Sequence, residues 1–322
     1  MDVDNLHLLI REAISELPLE REPEGLYSPV RYTLDGGGKR LRPLLLLASA
    51  AAFGADPALF TSQAAGIEMF HNFTLLHDDV MDNADVRRGR PTVHRKWDVS
   101  TAILSGDAML TLASQLMMKG LPAQQAVDVL TLFNATAMEI YEGQQYDMDF
   151  ESRGDVSVEE YMEMIRLKTS VLLGCATKIG AIVAGASEED AVNIYDYGVR
   201  LGLAFQLQDD WLDTFGDPVI FGKAIGGDIL NEKKTWLLIN ALAAPDADLL
   251  RSVLSDRSLQ PAEKIERVKD FYKAHNLGAL CHGLIGRYAD EAVRSIEAVQ
   301  AIDRGWRDFF IDIARRSASR TH

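Results

Sequence analysis

The amino-acid sequence predicts an all-α fold. Apolar residues recur at three- and four-residue intervals along most of the chain, and its 322 residues include only 10 prolines. No stretch alternates apolar and polar residues in the manner of a half-buried β-strand. Both observations favour a succession of helices over any sheet.

Short segments rich in glycine and proline separate the predicted helices. Breaks are predicted at residues 36–38, 120–122 and 216–218. A further break at 151–155 precedes Ser157 and Glu160, which have the spacing of a capping box at a helix start. Because no change in composition marks a linker, we expect one helical domain over residues 1–322, although the length also allows two domains.

Composition excludes several classes of protein. The net charge of −15 argues against general nucleic-acid binding, which requires a basic face. Two cysteines, Cys175 and Cys281, provide neither a disulfide framework nor metal-ligand spacing and fit a reducing cytoplasm. The acidic N-terminus lacks the order of a signal peptide, and Arg42 and Pro43 interrupt the most apolar run. We therefore expect a cytoplasmic protein without a transmembrane segment.

Two aspartate clusters follow apolar helix faces, 131 residues apart. The first contains Asp78, Asp79 and Asp82, and the second contains Asp209, Asp210 and Asp213. In each cluster the spacing i and i+4 places two carboxylates about 6 Å apart on a helix surface, where they repel each other. A single cluster of this kind would be interpreted as a solvated helix end. Two matching clusters on inward faces indicate a site that binds cations.

The ligand types favour magnesium. Carboxylates without His or Cys suit Mg²⁺, which proteins hold with one or two carboxylates together with substrate phosphates. No EF-hand loop surrounds either cluster, which disfavours calcium, and the paired Glu-x-x-His motifs of di-iron bundles are missing. The clusters therefore predict Mg²⁺ bound together with a diphosphate.

Cations close to the first cluster could bind that diphosphate. Lys39 and Arg42 follow the glycines at 36–38, and the glycine spacing excludes a P-loop. Arg87 and Arg88 come five and six residues after Asp82 and could grip phosphate through two hydrogen bonds each. The alternatives are a plain basic turn at 39–42 and salt bridges from the arginines to the neighbouring aspartates.

Lysines accompany the second cluster. Lys168 lies within an apolar stripe and therefore requires an anionic partner. Lys223 and Lys233 follow Asp213, and the glycine-broken segment 222–228 could close over a site as a lid. For Lys233 an ordinary surface lysine is the alternative.

These motifs, in this order, resemble trans-type isoprenyl diphosphate synthases of the polyprenyl synthetase family, which include farnesyl and geranylgeranyl diphosphate synthases. The similarity extends from about residue 36 to residue 234. It is carried by Gly37-Gly-Lys-Arg-Leu-Arg-Pro43, Asp78-Asp-Val-Met-Asp82 with Arg87-Arg-Gly, Gly143-Gln-x-x-Asp147, Lys168-Thr169, and Phe205-Gln-Leu-Gln-Asp-Asp-x-x-Asp213 with Gly222-Lys223.

The resemblance implies a fold, a reaction and a set of site residues. The fold would be an isoprenoid synthase-like bundle of mostly antiparallel helices around a deep central cavity, in a homodimer. The enzyme would condense isopentenyl diphosphate with an allylic diphosphate by ionisation, condensation and elimination, with about three Mg²⁺ ions around the bound diphosphate. The departed diphosphate would act as the base.

The same resemblance assigns the individual residues. Asp78, Asp82 and Asp209 would hold Mg²⁺, with Asp79, Asp210 and Asp213 in support. Arg87, Lys168 and Lys223 would bind the allylic diphosphate, and Lys39, Arg42, His71 and Arg88 would bind isopentenyl diphosphate. Lys233 is predicted to bind substrate as well. Thr169 and Gln206 would shield the carbocation.

Product length in such enzymes depends on side-chain bulk below the first cluster. Thr74 and Phe73 precede Asp78 by four and five residues, about 6 and 7.5 Å along a helix axis. By resemblance, one aromatic at these positions accompanies products of 15 or 20 carbons. We predict geranylgeranyl diphosphate first and farnesyl diphosphate second, with an ordinary core role for Phe73 as the alternative.

Two other functions would share some of these motifs. A class I terpene cyclase shares the first aspartate motif, but its second metal motif mixes Asn or Asp, Ser or Thr, and Glu, whereas this sequence repeats Asp-Asp-x-x-Asp. A noncatalytic helical subunit would have lost some of the motifs, and all of them are intact here. Both alternatives are therefore disfavoured.

Overall fold

A computed structural model describes residues 2–216 and 225–319, and most of these residues are helical. The prediction of an all-α fold is confirmed. The chain forms two compact units. Unit 1 comprises Met1–Ala135, Cys175–Val192 and Ala301–Trp306, and unit 2 comprises Thr136–Gly174, Asn193–Gln300 and Arg307–His322. A single folding domain over the whole chain stays a prediction.

The first third of the chain forms short and long helices around one central helix. They are α1 (Val3–Ser15), α2 (Glu24–Leu34), α3 (Leu41–Ala52), α4 (Thr61–Met81), α5 (Val93–Lys96) and α6 (Val99–Met118). A 3₁₀ turn, Pro57–Phe60, leads into α4. Between α4 and α5, β1 (Val86–Arg87) pairs antiparallel with β2 (Arg90–Pro91). Two residues per strand are too few to produce the alternation that a sequence search for strands detects.

Helix α4 is the centre of unit 1, where it packs against α6, α3 and α1. Its contact with α6 is close because α6 carries Gly106. A Cβ atom there would lie 2.2 Å from Nε2 of His77, so no other residue fits without moving that ring. The most buried side of α4 includes Asn72, Phe73, Leu76 and Asp79. The side of α4 that carries His71, Thr74 and Asp78 is only half-buried, because α4 turns a different side toward its neighbours.

The rest of the chain adds two long helices and several shorter ones. They are α7 (Ala123–Ser152), α8 (Val158–Ile165), a π-helical segment (Arg166–Ser170), α9 (Val171–Val183), α10 (Glu188–Phe215), α11 (Gly227–Leu230), α12 (Trp236–Leu242), α13 (Ala247–Ser255), α14 (Pro261–Ala274), α15 (Leu277–Ala298) and α16 (Arg304–Ser319).

A second apolar core lies within unit 2. Tyr161 of α8, Leu207 of α10, Leu237 of α12 and Ile285 of α15 are all buried in it. The predicted capping box is confirmed, since Oγ of Ser157 accepts from the Glu160 amide while the Glu160 carboxylate accepts from the Ser157 amide. The cap fixes the start of α8, the helix that leads into the π-helical segment.

The described helices also agree with the predicted breaks. Helices α2, α6 and α10 end at Leu34, Met118 and Phe215, just before the breaks at 36–38, 120–122 and 216–218. None of the helices in residues 2–216 and 225–319 combines the length and apolarity needed to span a bilayer. Cys175 and Cys281 are buried, and neither forms a disulfide.

Candidate active site

The first aspartate cluster occupies the C-terminal end of α4. Asp78 and Asp79 lie in its last turn, and Asp82 is the residue that caps it. The partial negative charge of a helix C-terminus makes this an unfavourable place for carboxylates. Burial adds to the cost, because Asp79 is only 5% exposed. This end of α4 therefore requires positive charge.

Arg87 of strand β1 supplies part of that charge. Its Nε atom donates to Oδ1 of Asp79 at 2.6 Å, and one terminal nitrogen lies 3.4 Å from Oδ2 of Asp78. Burial nevertheless raises the pKa of Asp79, with the Arg87 charge acting in the opposite direction. The alternative left open for Arg87, an ion pair with the aspartates, is thus present in the structure.

Aromatic rings fill the space on α4 below the carboxylates. Phe73 is 5% exposed, and its ring centroid lies 4.7 Å from that of His77 and 5.5 Å from that of Phe70. Phe70 in turn meets Phe133 edge to face at 5.0 Å. The neighbouring Thr74 is half-buried, and its hydroxyl donates to the His71 carbonyl at 2.8 Å. Of the two predicted chain-length positions, one is therefore bulky and packed and the other is small.

The four residues predicted to bind isopentenyl diphosphate all belong to unit 1. Lys39 is exposed in the α2–α3 loop, and one terminal nitrogen of Arg42 lies 3.2 Å from Nε2 of His71. Arg88 donates to the carbonyl of Gly37 in the same loop. Burial lowers the pKa of His71 well below its usual value, and the charges of Arg42 and Arg88 lower it further. His71 is therefore neutral at pH 7 and can accept the Arg42 hydrogen bond.

The second aspartate cluster lies near the C-terminal end of α10. Asp210 is 4% exposed and accepts from the hydroxyl of Tyr161 and from Nε2 of Gln206, the latter at 2.9 Å. Oε1 of Gln206 accepts from the Thr169 hydroxyl at 3.0 Å. A hydrogen-bond chain thus links the two predicted carbocation-shielding residues to the buried carboxylate. Burial raises the pKa of Asp210, and the Lys233 ammonium opposes that rise.

Lys168 lies in the π-helical segment that follows α8. Its ammonium contacts Oδ2 of Asp147 at 2.6 Å, which supplies the anionic partner that the sequence requires. Burial would raise the pKa of Asp147, but the charges of Lys168 and Lys233 bring it below its usual value. Gly143, one turn before Asp147 on α7, lets the two helices approach. A Cβ atom at Gly143 would lie 2.4 Å from the Lys168 backbone nitrogen.

The end of the second cluster contacts the segment that follows it. Oδ2 of Asp213 accepts from the backbone amide of Asp228 at 2.9 Å. Burial, with the nearby Asp210 charge, raises the pKa of Asp228 to about 7. Lys233 is exposed, and its charge acts on Asp147, Asp210 and Asp228. Lys223 lies outside the described residues, as do residues 222 and 224 of the segment 222–228 that was predicted to act as a lid.

The donor set fits Mg²⁺ completed by phosphate. Within residues 2–216 and 225–319, no three His, Cys, Asp or Glu side chains meet as a ready-made metal site. Mg²⁺ is usually held by one or two carboxylates, with waters and substrate phosphates as its other ligands. Each cluster offers oxygen ligands only, at the spacing i and i+4.

Sequence reasoning did not find several residues that hold these groups. Tyr161, whose hydroxyl donates to Asp210, was not among the predicted site residues. The π-helical segment has no sequence signature that periodicity could detect. Arg40 and Glu68, which form a buried ion pair in unit 1, were also missed. A glutamate three residues before His71, on the inner side of α4, was the available signal for that pair.

The fold and these residues define a class of protein. Helices whose C-terminal ends carry paired aspartates, with arginines and lysines around them, are the arrangement of an enzyme that handles diphosphates with Mg²⁺. Comparison with known proteins identifies the family. The chain belongs to the polyprenyl synthetase family, because the family model matches residues 23–274. The predictions of a prenyltransferase and of a short-chain trans-type enzyme are confirmed, and enzymes of this family use Mg²⁺.

Individual relatives agree with this assignment. The chain is 38% identical over 317 residues to a geranylgeranyl pyrophosphate synthase from Geoglobus acetivorans, covering 98% of this chain and 97% of that protein. It is 42% identical over 251 residues to a geranylfarnesyl diphosphate synthase from Natronomonas pharaonis, covering 72% and 73%. A crystal structure of a geranylgeranyl pyrophosphate synthase superimposes with a TM-score of 0.94 at 45% identity, covering 99% of this chain and 98% of that one.

The close approach at Gly143 generates a prediction. We expect Gly143→Ala to lower kcat at least about tenfold, because a displacement of about 1 Å at a reacting group can cost more than that. The apparent Tm should fall as well, since the new methyl group meets the Lys168 backbone at 2.4 Å. Steady-state kinetics and thermal unfolding test both expectations.

Gly283→Ala is the matched control. Gly283 lies within α15, and nothing is within 4 Å of its Cβ position, so this helix-interior glycine should accept alanine with a gain of up to about 1 kcal/mol. Wild-type kcat and Tm in Gly143→Ala would contradict a role for the close contact.

Proposed function

We propose that this enzyme condenses isopentenyl diphosphate with an allylic prenyl diphosphate. The observation that carries the proposal is the pair of aspartate clusters at the C-terminal ends of α4 and α10. At both places the partial negative charge of the helix end and the neighbouring carboxylate destabilise each aspartate. A cation bound jointly by the aspartates and a diphosphate would neutralise this excess negative charge. A second diphosphate would bind to Lys39, Arg42, His71 and Arg88.

The six aspartates take different parts in this proposal. Asp78, Asp82 and Asp209 hold Mg²⁺, about three ions in all when the allylic diphosphate is bound. Asp79 and Asp210 support them, because each is buried and already accepts hydrogen bonds from protein donors. Asp213 supports as well and accepts from the amide of Asp228. The ions neutralise the charge that develops on the departing diphosphate.

Cationic side chains complete the two diphosphate sites. In the proposal, Arg87, Lys168, Lys223 and Lys233 bind the allylic diphosphate, and Lys39, Arg42, His71 and Arg88 bind isopentenyl diphosphate. Arg87 forms ion pairs with Asp78 and Asp79, and Lys168 forms one with Asp147. A diphosphate would compete with these carboxylates for the two cations, and Asp78 would then be available to hold Mg²⁺.

The reaction then proceeds in three steps. The allylic C–O bond breaks, and the alkene of isopentenyl diphosphate attacks the resulting carbocation to form a C–C bond. A proton is lost from the adjacent carbon to the departed diphosphate, which restores a double bond. Hydrogen bonds that run from Thr169 through Gln206 to Asp210 hold the Thr169 hydroxyl and the Gln206 carbonyl in place. Their oxygen dipoles can therefore face the carbocation without reorganising.

A product assay tests this function. The enzyme is incubated with Mg²⁺, labelled isopentenyl diphosphate and, in separate reactions, dimethylallyl, geranyl or farnesyl diphosphate. We expect elongation that is lost in Asp78→Asn and on removal of Mg²⁺ with a chelator. Release of diphosphate without consumption of isopentenyl diphosphate would indicate a cyclase instead, and complete inertness of a folded protein would indicate a noncatalytic subunit.

We propose geranylgeranyl diphosphate as the product, with farnesyl diphosphate second. Relatives named as geranylgeranyl diphosphate synthases support this, and so does the single buried aromatic of the Phe73 and Thr74 pair. Phe73→Ala should lengthen the product, because it removes the ring that closes the space below Asp78. Thr74→Phe should shorten it by adding a second ring. Thin-layer sizing of radiolabelled products measures both changes.

Phe60→Leu is the control for the product assay. Phe60 is also buried in unit 1, but it lies in the 3₁₀ turn before α4, so its loss should leave the product unchanged. Because truncating a buried Phe costs about 3 to 5 kcal/mol, each variant is assayed well below its measured Tm. An unchanged product from Phe73→Ala would show that Phe73 is only a core residue.

We also propose that the enzyme is a cytoplasmic homodimer. Helix α6 supports the dimer, because it exposes the apolar side chains Val99, Ile103 and Leu104 within two turns. Leu104 alone is 60% exposed. Such a cluster on the surface of a globular unit is typical of an interface. The absence of a disulfide at the buried Cys175 and Cys281 is compatible with a reducing cytoplasm.

Introducing a charge on this face tests the dimer. Leu104→Asp should weaken association, because it buries a charge at the interface, and light scattering should then report 35.6 kDa rather than twice that mass. Leu59→Asp is the control, since Leu59 is 71% exposed but lies in the 3₁₀ turn, away from this helix. A Leu104→Asp protein that keeps the dimer mass would exclude this face as the interface.

A further inference from the structure

Arg40, in the α2–α3 loop, binds partners within the protein. Arg40 caps the N-terminus of α3 in the left-handed conformation, with φ 50° and ψ 36°. Its guanidinium donates to Oε1 of Glu68 through one terminal nitrogen and to the Leu34 carbonyl through the other. The side chain is 14% exposed. Both ends of its fork are thus used within the protein, whereas Lys39 in the same loop is exposed.

Glu68 is the partner of Arg40 and is almost completely enclosed. Its side chain is 3% exposed, in the middle of α4. The carboxylate also accepts from Nδ2 of Asn72 at 2.8 Å, and that same nitrogen donates to the Glu68 carbonyl at 2.8 Å. A carboxylate so deep in a helix is retained only with a cationic partner and further hydrogen bonds, and Arg40 and Asn72 supply them.

The Arg40–Glu68 pair lies beside the residues assigned to isopentenyl diphosphate. His71 is three residues after Glu68 on α4 and contacts Arg42, which is two residues after Arg40 in the chain. Arg88 donates to the carbonyl of Gly37 in the loop. The loop is thus attached to α4 at Arg40 and to Arg88 at Gly37, and the first turn of α3 contacts α4 at Arg42.

Electrostatics requires such an attachment. Lys39, Arg40, Arg42 and Arg88 are like charges in a small volume, and they repel one another when no diphosphate is bound. Glu68 is a buried negative charge that acts on this group: burial lowers the pKa of Arg88, the Glu68 charge opposes that fall, and the Arg40 charge adds to it. A loop with two positive-φ glycines, Gly37 and Gly38, has little stiffness of its own to resist that repulsion.

We infer that Glu68 is a positioning residue for isopentenyl diphosphate. It acts through Arg40, whose two-pronged contact fixes the loop so that Lys39 and Arg42 present their charges before the substrate arrives. The inference rests on the proposed function, because it assumes that Lys39, Arg42, His71 and Arg88 bind isopentenyl diphosphate. Glu68 itself does not touch the substrate, and the allylic diphosphate residues do not depend on it.

The test separates the two substrates kinetically. Glu68→Gln keeps the size of the side chain and an oxygen acceptor for Asn72 but removes the charge. We expect KM for isopentenyl diphosphate to rise about tenfold or more, since a small misplacement of binding groups has effects of this order. KM for the allylic diphosphate should stay within about twofold of wild type, and kcat within about threefold. The variant does not alter the aspartates that are proposed to stabilise the transition state.

Two further variants keep the test decisive if Glu68→Gln is poorly folded. Arg40→Lys retains the charge but loses the fork and should by itself raise KM for isopentenyl diphosphate above the wild-type value. The double variant Arg40→Gln with Glu68→Gln replaces the ion pair by two amides. Its KM should not exceed that of the worse of its two single variants, Arg40→Gln and Glu68→Gln, because the two residues act as one unit. Titration calorimetry with isopentenyl diphosphate alone should show the same order of affinities.

Glu291→Gln is the matched control. Glu291 forms a partly buried ion pair with Arg200 at 3.5 Å in unit 2, so its loss changes stability without changing either KM. Folded Glu68 variants with wild-type KM for isopentenyl diphosphate would overturn the inference, as would equal rises in both KM values or additive effects in the double variant. A wild-type enzyme that elongates no substrate at all would refute the proposed function instead.

Discussion

The structure depends on negative charge placed where helices tolerate it least. Both aspartate clusters lie at the C-terminal ends of long helices, where the backbone carbonyls already contribute partial negative charge. In each cluster one carboxylate, Asp79 or Asp210, is buried as well. Such an arrangement persists only because protein donors stabilise the buried member and because cations are available to the others. The arrangement explains why so many arginines and lysines accompany the clusters in a chain whose net charge is −15.

The two units stabilise their buried aspartate in different ways. In unit 1 the charged Arg87, on a two-residue strand, donates to Asp79. In unit 2 the neutral donors Tyr161 and Gln206 bind Asp210, and Gln206 passes the connection on to Thr169. Arg87 also contacts Asp78, whereas the donors to Asp210 belong to one continuous neutral hydrogen-bond chain. The buried carboxylate of unit 1 is thus stabilised by charge, and that of unit 2 by neutral hydrogen bonds.

Close helix contacts give these groups their precision. Gly143 brings α7 against the π-helical segment that carries Lys168 and Thr169, and Gly202 on α10 meets Ser170 of the same segment, where a Cβ atom would lie 2.5 Å from its Cα. The extra residue in a π-helical turn rotates the side chains that follow it relative to an α-helix. Close packing on both sides keeps that irregular turn in one conformation. In the cationic loop of unit 1 the close contact at Gly38 is with the Arg88 side chain, and the buried Arg40–Glu68 pair joins the loop to α4.

The sequence by itself determined the helical class, the breaks between helices, the capping box at Ser157 and the family. Periodicity, glycine and proline positions and motif spacing are local properties of a chain, so they can be read directly. Only the tertiary structure decided that Arg87 and Lys168 are paired with carboxylates, that Tyr161 anchors Asp210 and that Glu68 holds Arg40. These pairs join residues 8 to 49 positions apart, and which side of a helix is buried depends on its neighbours. Amphipathic periodicity carries no information about which partner a buried polar group will meet.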